Sequence, residues 1–234
     1  MKCGESDSRN DVFKENFSEE KFFKLLIPES SPLIIDIGAH TGESVEFFNS
    51  IFSDAEIYSI EPDPDSYEKL KEYVPDSSKA INAAIGAETG TAIFYQYEKS
   101  HLNSLYAINK DSKDSLGYAE NCDENKVEVS CLSLDDLVKN LGIEGRCINL
   151  LKIDAQGGEY DILKGGQLTL NNIENITLEL NFFDFYSKKN TFLEVEKLLP
   201  GFELYAITKL SQNPMNFRTD WAEVFYRKSP ENND

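Results

Sequence analysis

Residues 33–42 read LIIDIGAHTG, an apolar run followed by a turn that contains two glycines. A short continuous apolar run of this kind is typical of a strand that is buried on both faces of a parallel sheet. The residues that follow, 43–52, carry apolar side chains at helical spacing. The order of strand, tight turn and helix predicts the first unit of an α/β fold.

The same alternation continues along the chain. Further strands are predicted over residues 56–60, 79–85, 148–153 and 176–182, and helices are predicted over 63–73, 134–141, 159–164 and 191–199. Parallel neighbouring strands require crossover helices, so this order favours a doubly wound sheet. Two closing strands, 202–208 and 221–226, favour a hairpin at the sheet edge. We therefore predict an α/β, Rossmann-like fold whose mostly parallel sheet has an antiparallel edge strand.

The regions outside this alternation differ in composition. Apolar residues at helical spacing over 11–27 predict one leading helix or two short ones, which Pro28 ends. We expect a helical extension over residues 1–30 and one domain over 31–234. In the middle of the chain, residues 98–125 are polar and separate two segments of strand composition, 91–97 and 127–134. We expect a long loop or lid here, since a loop of this length in a compact domain is usually functional or disordered.

The charge of the chain excludes some partners. There are 42 acidic and 23 basic residues, and the net charge is −19. Nucleic acids and anionic membrane surfaces are bound by clustered lysine and arginine, so we expect neither partner. The first residues lack the apolar core of a signal peptide, and no apolar run approaches the roughly 20 residues that span a bilayer. The sequence thus favours a cytoplasmic location.

The cysteines do not predict a metal site. Cys3, Cys122, Cys131 and Cys147 are too far apart for a Cys-x-x-Cys pair, and the chain contains two histidines. This arrangement favours reduced thiols over zinc ligands.

The turn at 38–42 is the first candidate binding site. Glycines in a strand-to-helix turn let the backbone approach a ligand, and the helix N-terminus presents free amides. The dinucleotide fingerprint needs three glycines, and Gly38 and Gly42 supply two of them. Asp36 before the turn favours a ligand with a cationic amino-acid end over a pyrophosphate. A purely structural turn is the alternative interpretation.

Two strand ends supply further candidates. Glu61 ends the second predicted strand, where a carboxylate can accept both hydroxyls of a ribose; a solvated surface glutamate is the alternative. Asp154 ends the strand at 148–153, an edge at which open α/β sheets bind ligands, although it could simply cap the following turn. The fold would aim Glu159 and Glu179 toward the same crevice.

Several of these segments together resemble one family. LKIDAQGGEYDILKG at 151–165, DIGAHTG at 36–42 and EPDP at 61–64 resemble the FkbM-type family of S-adenosylmethionine-dependent methyltransferases, as do the shorter segments at 82–86 and 132–135. The resemblance covers roughly residues 33–180. Gln156 stands where many members have glutamate, and Gly158 is smaller than the residue usual there, so the acceptor end of the site departs from the family more than the cofactor end does.

This resemblance implies a class I methyltransferase sheet with S-adenosylmethionine as the cofactor. The methionine end would lie near Asp36 and the backbone of the glycine turn, Glu61 would hold the ribose, and Asp154 would lie beside the sulfonium. The complete set of implied cofactor contacts is Asp36, Gly38, His40, Gly42, Glu61, Asn82, Ala83 and Asp154.

The implied reaction is methyl transfer to a hydroxyl of a small molecule or sugar. Holding the hydroxyl in line with the methyl supplies acceleration through proximity, and a base removes the proton. Asp154 is the first candidate for the base, followed by His40 and Glu159. A divalent metal on Asp154, Glu179 and Asn181 is an alternative, but strand-end carboxylates need no metal to explain them, so we expect none.

Two other functions remain open from the sequence. An NAD(P)-dependent oxidoreductase is suggested by two Tyr-x-x-x-Lys matches, Tyr160 to Lys164 and Tyr67 to Lys71, which place both side chains one helical turn apart. The missing third glycine argues against it. A non-catalytic relative that binds a nucleoside is suggested by the polar loop at 98–125 and by Gly158.

Overall fold

The computed structural model describes residues 8–111, 123–188 and 191–229. Its helices are α1 (Arg9–Asn16), α2 (Glu19–Leu26), α3 (Glu43–Ile51), α4 (Pro64–Leu70), α5 (Leu134–Leu141), α6 (Glu159–Lys164) and α7 (Phe192–Lys197). Its strands are β1 (Leu33–Ile37), β2 (Glu56–Ile60), β3 (Lys79–Ile81), β4 (Ala84–Gly86), β5 (Gly90–Gln96), β6 (Asn125–Ser133), β7 (Leu150–Ile153), β8 (Asn175–Asn181), β9 (Phe202–Gln212) and β10 (Thr219–Lys228). Over these ranges, no helix combines the length and the apolar character needed to cross a membrane.

Seven strands form the central sheet in the order β3-β2-β1-β7-β8-β10-β9. The strands from β3 to β8 are parallel, whereas β10 runs antiparallel to both β8 and β9. The predicted doubly wound, mostly parallel sheet with an antiparallel edge is therefore confirmed. The strand order reverses beside β1, so the ends of β1 and β7 border the crevice in which such sheets bind ligands.

Alternating side chains of the strands build one apolar layer on each face of the sheet. Leu151 of β7 packs on one face, where α5 and α6 contribute Leu137 and Ile162. Leu150 points to the other face, where it joins the cluster that includes Phe23 of α2 and Phe48 of α3. The rings of Phe23 and Phe48 meet edge to face at a centroid distance of 5.4 Å. Helix α2 is thus packed on the sheet, while the division of the chain at residue 30 stays a prediction.

A second, three-stranded sheet in the order β4-β6-β5 lies beside the first. The single strand predicted over 79–85 was wrong, because β3 joins the central sheet and β4 joins the small one. Between them, the side-chain amide of Asn82 donates to the carbonyl oxygens of Glu61 at 2.9 Å and Pro62 at 3.2 Å. These bonds hold the chain to the end of β2 at the point where it changes sheets.

The polar segment predicted as a lid is structured in its first part. Ser100–Leu102 forms a 3-10 turn, Tyr95 pairs with Ser104, and Ile108 pairs with Tyr186. Residues 112–122 of the predicted lid lie outside the described residues. The described part of this segment lies against the carboxyl end of the sheet.

Candidate active site

A cleft of about 290 Å³ lies at the carboxyl ends of β1, β2 and β7. Its walls are the turn after β1, the residues that follow β2, the 83–85 segment and residues 154–156 after β7. Phe94 of the small sheet and Leu105 of the polar segment close it from the side. The cleft has the position that open α/β sheets use for ligands and a size near the lower end of small-molecule sites.

The two glycines of the turn have different roles. Gly38 has a φ of +80°, and a Cβ there would lie 1.8 Å from the carbonyl oxygen of Asp154, so a side chain would push the ends of β1 and β7 apart. Gly38 also lines the cleft. Gly42 has a φ of +105° and precedes α3, and a Cβ there would meet the ring of Tyr73 at 2.9 Å. Among the described residues, Gly42 is not one that lines the cleft.

Asp36 lies beneath the cleft instead of in its wall. Its side chain is fully buried and accepts hydrogen bonds from the hydroxyl of Ser44 and from Nζ of Lys152, the latter at 3.0 Å. Burial alone would lower the pKa of Lys152, but the negative charges of Asp36 and Asp154 outweigh it and raise that pKa. Both partners of Asp36 line the cleft. Asp36 therefore acts on the cleft indirectly, by holding the side chains of Ser44 and Lys152.

Glu61 joins the first two strand ends. One carboxylate oxygen accepts the backbone N–H of His40 and the other accepts that of Asp63, both at 2.8 Å. The residue is 5% exposed and lines the cleft, and burial raises the pKa of its carboxyl to about 7. Each carboxylate oxygen keeps a further lone pair that can accept a ligand hydroxyl.

His40 lies on the wall of the cleft between the turn and the polar segment. Its Nε2 is 2.8 Å from the hydroxyl of Ser100, and its Nδ1 is 3.5 Å from the hydroxyl of Thr41 and 3.7 Å from a carboxylate oxygen of Glu43. The backbone φ of His40 is +49°, a left-handed conformation that is uncommon for a residue with a side chain. The ring is thus engaged at both nitrogens.

The two remaining predicted cofactor contacts, Asn82 and Ala83, differ in role: Asn82 holds the backbone, and Ala83 lines the cleft. Asn82 is exposed and holds the carbonyl groups after β2, as described above. Ala83 lines the cleft together with Ile60 and Phe94, so part of the cleft wall is apolar. A flat aromatic ligand group would find van der Waals contacts on this surface.

Of the three residues predicted as candidates for the base, Asp154 and His40 line the cleft and Glu159 does not. Asp154 lines it, and its Oδ1 accepts a hydrogen bond of 2.9 Å from the side-chain amide of Gln156. Glu159 is buried, and its Oε1 accepts the backbone N–H groups of Ala155 at 3.1 Å and Gly157 at 3.2 Å. Burial raises the pKa of Glu159 to about 7. Glu159 therefore stabilises the turn after β7, outside the cleft wall.

Glu179 and Asn181 lie on β8. Burial raises the pKa of Glu179 to about 8, with smaller contributions from the charges of Asp154 and Glu159. The side-chain amide of Asn181 donates to Oε1 of Glu179 at 3.4 Å. Within the three described ranges, no group of three or more His, Cys, Asp or Glu side chains is arranged to hold a metal.

A second cavity of about 290 Å³ adjoins the cleft on the face covered by α2 and α3. The two spaces share Glu43, Ser44, Lys152 and Asp154. The remaining wall of the second cavity combines aromatic rings with charged groups: Glu19, Phe23, Phe47, Phe48, Ile153, Thr177, Leu178, Glu179, Lys209 and Glu223. Asp154 thus lies where two ligand-sized spaces meet.

Sequence reasoning missed several residues of this site. Ser44 and Lys152 bind Asp36, and Gln156 binds Asp154, but none of the three was predicted to have a role in the site. Lys152 and Gln156 do lie in the run at 151–165, which was a usable signal. Phe94 and Leu105 come from distant parts of the chain, and nothing in their spacing indicates a contact with the cleft.

The strand order and the position of the cleft match those expected of a class I S-adenosylmethionine-dependent methyltransferase. The groups in the cleft fit this cofactor, because Glu61 offers a carboxylate for ribose hydroxyls and the apolar wall offers a surface for adenine. A pyrophosphate would need free cations or a third glycine. The lysine of the cleft is instead bound to the buried Asp36.

The chain belongs to the FkbM methyltransferase family, since the model of the methyltransferase FkbM domain matches residues 36–205. It is 26% identical to the 2-O-methyltransferase NoeI of Sinorhizobium fredii over 77% of this chain and 76% of that protein. It is 26% identical to the methyltransferase sdnD of Sordaria araneosa over 66% and 67% of the two chains. The hexuronic acid methyltransferase AglP of Haloferax volcanii is 22% identical over 70% of this chain and 62% of its own.

These matches confirm the family resemblance that the sequence motifs indicated. The protein is an S-adenosylmethionine-dependent methyltransferase, which decides against the oxidoreductase alternative. The Tyr160–Lys164 spacing behind that alternative lies on α6, where Tyr160 packs against the apolar layer of the sheet.

Proposed function

We propose that this enzyme transfers the methyl group of S-adenosylmethionine to a hydroxyl oxygen of a small molecule, with a sugar as the favoured acceptor. The names of NoeI and AglP, a 2-O-methyltransferase and a hexuronic acid methyltransferase, support this acceptor class. The observation that carries the proposal is the position of Asp154 at the junction of two adjoining cavities. One space would hold the methyl donor and the other would hold the acceptor.

The cleft residues would hold the cofactor by distinct parts. Glu61 would accept the ribose hydroxyls, and the apolar wall with Ile60, Ala83 and Phe94 would contact the adenine. The backbone at 38–40 would border the methionine end, and Lys152 would lie near its carboxylate. When bound, S-adenosylmethionine supplies a methyl group on a positively charged sulfur, which needs no further activation.

The chain's own contribution is to position the acceptor oxygen and to accept its proton. Asp154 is the proposed base because it lines both cavities and its carboxylate is held by one hydrogen bond from Gln156. A hydroxyl held against Asp154 would lose its proton as the oxygen attacks the methyl carbon. His40 remains the second candidate, since its ring lines the cleft. Glu159 instead holds the turn that carries Asp154.

The charges of the second cavity favour a neutral hydroxyl acceptor over an anionic one. Five residues contribute carboxyl groups to its wall: Glu19, Glu43, Asp154, Glu179 and Glu223. Its two lysines already have carboxylate partners: Lys152 binds Asp36 at 3.0 Å, and Lys209 binds Glu19 at 2.6 Å and Glu223 at 3.2 Å. An acceptor with its own carboxylate, such as a hexuronic acid, would add a like charge at this place.

A pair of matched acceptors tests this proposal. With labelled S-adenosylmethionine, we expect methyl transfer to neutral sugars and sugar derivatives, and at least tenfold lower kcat/KM for the matching uronates. Preference for the uronates would contradict the charge argument, and the absence of label in every hydroxylated acceptor would contradict the proposed function.

Cytoplasmic location and the absence of nucleic-acid and membrane partners stay predictions of the sequence.

Replacement of the proposed base gives the second test. We expect Asp154→Asn to lower kcat by about 100-fold or more, because general bases contribute factors of this order. Binding of S-adenosylhomocysteine should change by less than about threefold, since the ribose and adenine contacts remain. Asp54→Asn, at an exposed position after α3, is the matched control and should retain wild-type turnover. Retention of full turnover by Asp154→Asn would exclude it as the base.

A further inference from the structure

A chain of hydrogen bonds runs from Tyr186 through Gln156 to Asp154. The hydroxyl of Tyr186 donates to Oε1 of Gln156 at 2.9 Å, and Nε2 of Gln156 donates to Oδ1 of Asp154 at 2.9 Å. The same hydroxyl lies 3.3 Å from the carbonyl oxygen of Leu102, a longer contact. Tyr186 is 3% exposed, so the chain of hydrogen bonds begins behind the cleft and reaches the cleft wall at Gln156 and Asp154.

We propose that Tyr186 is a positioning residue, which fixes the side-chain amide of Gln156 and thereby fixes the carboxylate of Asp154 at the junction of the two cavities. The inference rests on the proposed role of Asp154 in methyl transfer. Among the described residues, Tyr186 is not one that lines either the cleft or the second cavity. It would therefore contact neither the cofactor nor the acceptor.

The backbone of Gln156 is held in a conformation that needs support. Its φ is +51°, in the left-handed region that is unfavourable for a residue with a side chain. The hydroxyl of Ser104 donates to its carbonyl oxygen at 2.7 Å. At the next residue, Gly157, a Cβ would lie 3.2 Å from the ring of Tyr186. Tyr186 therefore packs against the same turn whose side chain it binds.

The direction of the hydrogen bonds gives the chain its effect. A glutamine amide has one oxygen that accepts and one NH₂ that donates, so binding the oxygen on one side directs the NH₂ to the other. The hydroxyl of Tyr186 remains a donor because burial raises its pKa well above the ordinary value, and the charges of Glu159, Glu179 and Asp154 act in the same direction. With the opposite amide orientation, the oxygen of Gln156 would face the carboxylate of Asp154. That arrangement is repulsive.

Removing single hydroxyl or amide groups tests the chain. We expect Tyr186→Phe to lower kcat about tenfold, while the KM for the acceptor and the dissociation constant of S-adenosylhomocysteine change less than twofold. Gln156→Met, which keeps the length of the side chain without its amide, should lower kcat at least as much. Because both substitutions break the same chain of hydrogen bonds, the double variant should be no slower than Gln156→Met alone.

The matched control is Tyr97→Phe. Tyr97 is buried in the same aromatic cluster, and its hydroxyl accepts the backbone N–H of Ile108 at 2.9 Å without contacting Gln156. Its removal tests general loosening of this region, and kcat should stay within twofold of wild type. Equal losses of kcat in Tyr97→Phe and Tyr186→Phe, or multiplied losses in the double variant, would overturn the proposal.

A spectroscopic measurement decides the inference without turnover. The side-chain carboxyl carbon of Asp154, observed by NMR in labelled protein, should shift in Tyr186→Phe and in Gln156→Met but not in Tyr97→Phe. An unchanged resonance in the first two variants would overturn the proposal. If the wild-type enzyme methylates no acceptor, the proposed function fails, while this comparison still decides whether Tyr186 positions Asp154.

Discussion

Three glutamates of the site, the buried Glu61 and Glu159 and the half-buried Glu179, differ in how their charge is compensated. Glu61 and Glu159 each accept two backbone N–H groups, whereas the contact of Glu179 is a side-chain amide at 3.4 Å. Burial raises the pKa of all three, to about 7, 7 and 8. Glu61 lies in the cleft, so its carboxyl is the one that a nucleoside would meet.

Replacement of Glu61 tests its contact with the ribose. Glu61→Gln should weaken S-adenosylhomocysteine binding about tenfold or more at pH 8, because hydrogen bonds to an ionised group contribute about 1.5–3 kcal/mol. Calorimetric titration measures the change. Glu88→Gln, on an exposed turn, is the control. Equal affinity of Glu61→Gln and wild type would refute the ribose assignment.

At the scale of elements, features that a short stretch of sequence determines were predicted better than features that depend on contacts between distant residues. The apolar run at 33–37, the glycines after it and the carboxylates at the ends of β2 and β7 were readable because each lies within one short stretch of chain. Three features were not predicted from the sequence: the division of 79–85 into two strands, the burial of Asp36 under the cleft, and the binding of Glu159 to the turn after β7 instead of to the cleft. The first two depend on partners in other elements, such as Lys152 for Asp36. Glu159 instead binds backbone N–H groups of the turn directly before it, and the residue pattern does not show that contact.

The close approach of β1 and β7 gives a prediction for the glycine turn. Gly38→Ala should lower the free energy of unfolding by about 3 kcal/mol or more, because it adds a steric clash to an unfavourable φ. Gly142 has a φ of +69° with open space around it, so Gly142→Ala isolates the cost of the backbone conformation, about 1 kcal/mol. Urea denaturation measures both. Equal losses would contradict the clash with the Asp154 carbonyl.

At the scale of the whole molecule, the sheet collects acidic groups at one end. The net charge of −19 predicts that nucleic acids are not partners. The structure adds that Glu159 and Glu179 lie near Asp154, and that burial and, to a smaller extent, the charge of Asp154 raise the pKa of both glutamates. Such groups hold protons in the folded state that the unfolded chain releases near pH 4.5. They therefore destabilise the fold as the pH rises through their folded pKa values.

Glu179→Gln tests this dependence on pH. The folded pKa of about 8 exceeds the unfolded value of 4.5, so the cost of Glu179 is small near pH 5 and complete above pH 8. The variant should gain roughly 2 kcal/mol more over wild type at pH 8.5 than at pH 5. Thermal or urea unfolding at both values measures the difference. A gain that does not grow with pH would contradict the burial of this carboxyl.

The location of the transferred methyl group tests the central claim most directly. Wild-type enzyme is incubated with S-adenosylmethionine carrying a ¹³C-labelled methyl group and a set of neutral hydroxylated sugars, and the product is examined by NMR. We predict that the labelled carbon is bonded to an ether oxygen of the acceptor and that Asp154→Asn forms this product far more slowly. Label on nitrogen or on a carboxylate oxygen, or no labelled product, would contradict the account.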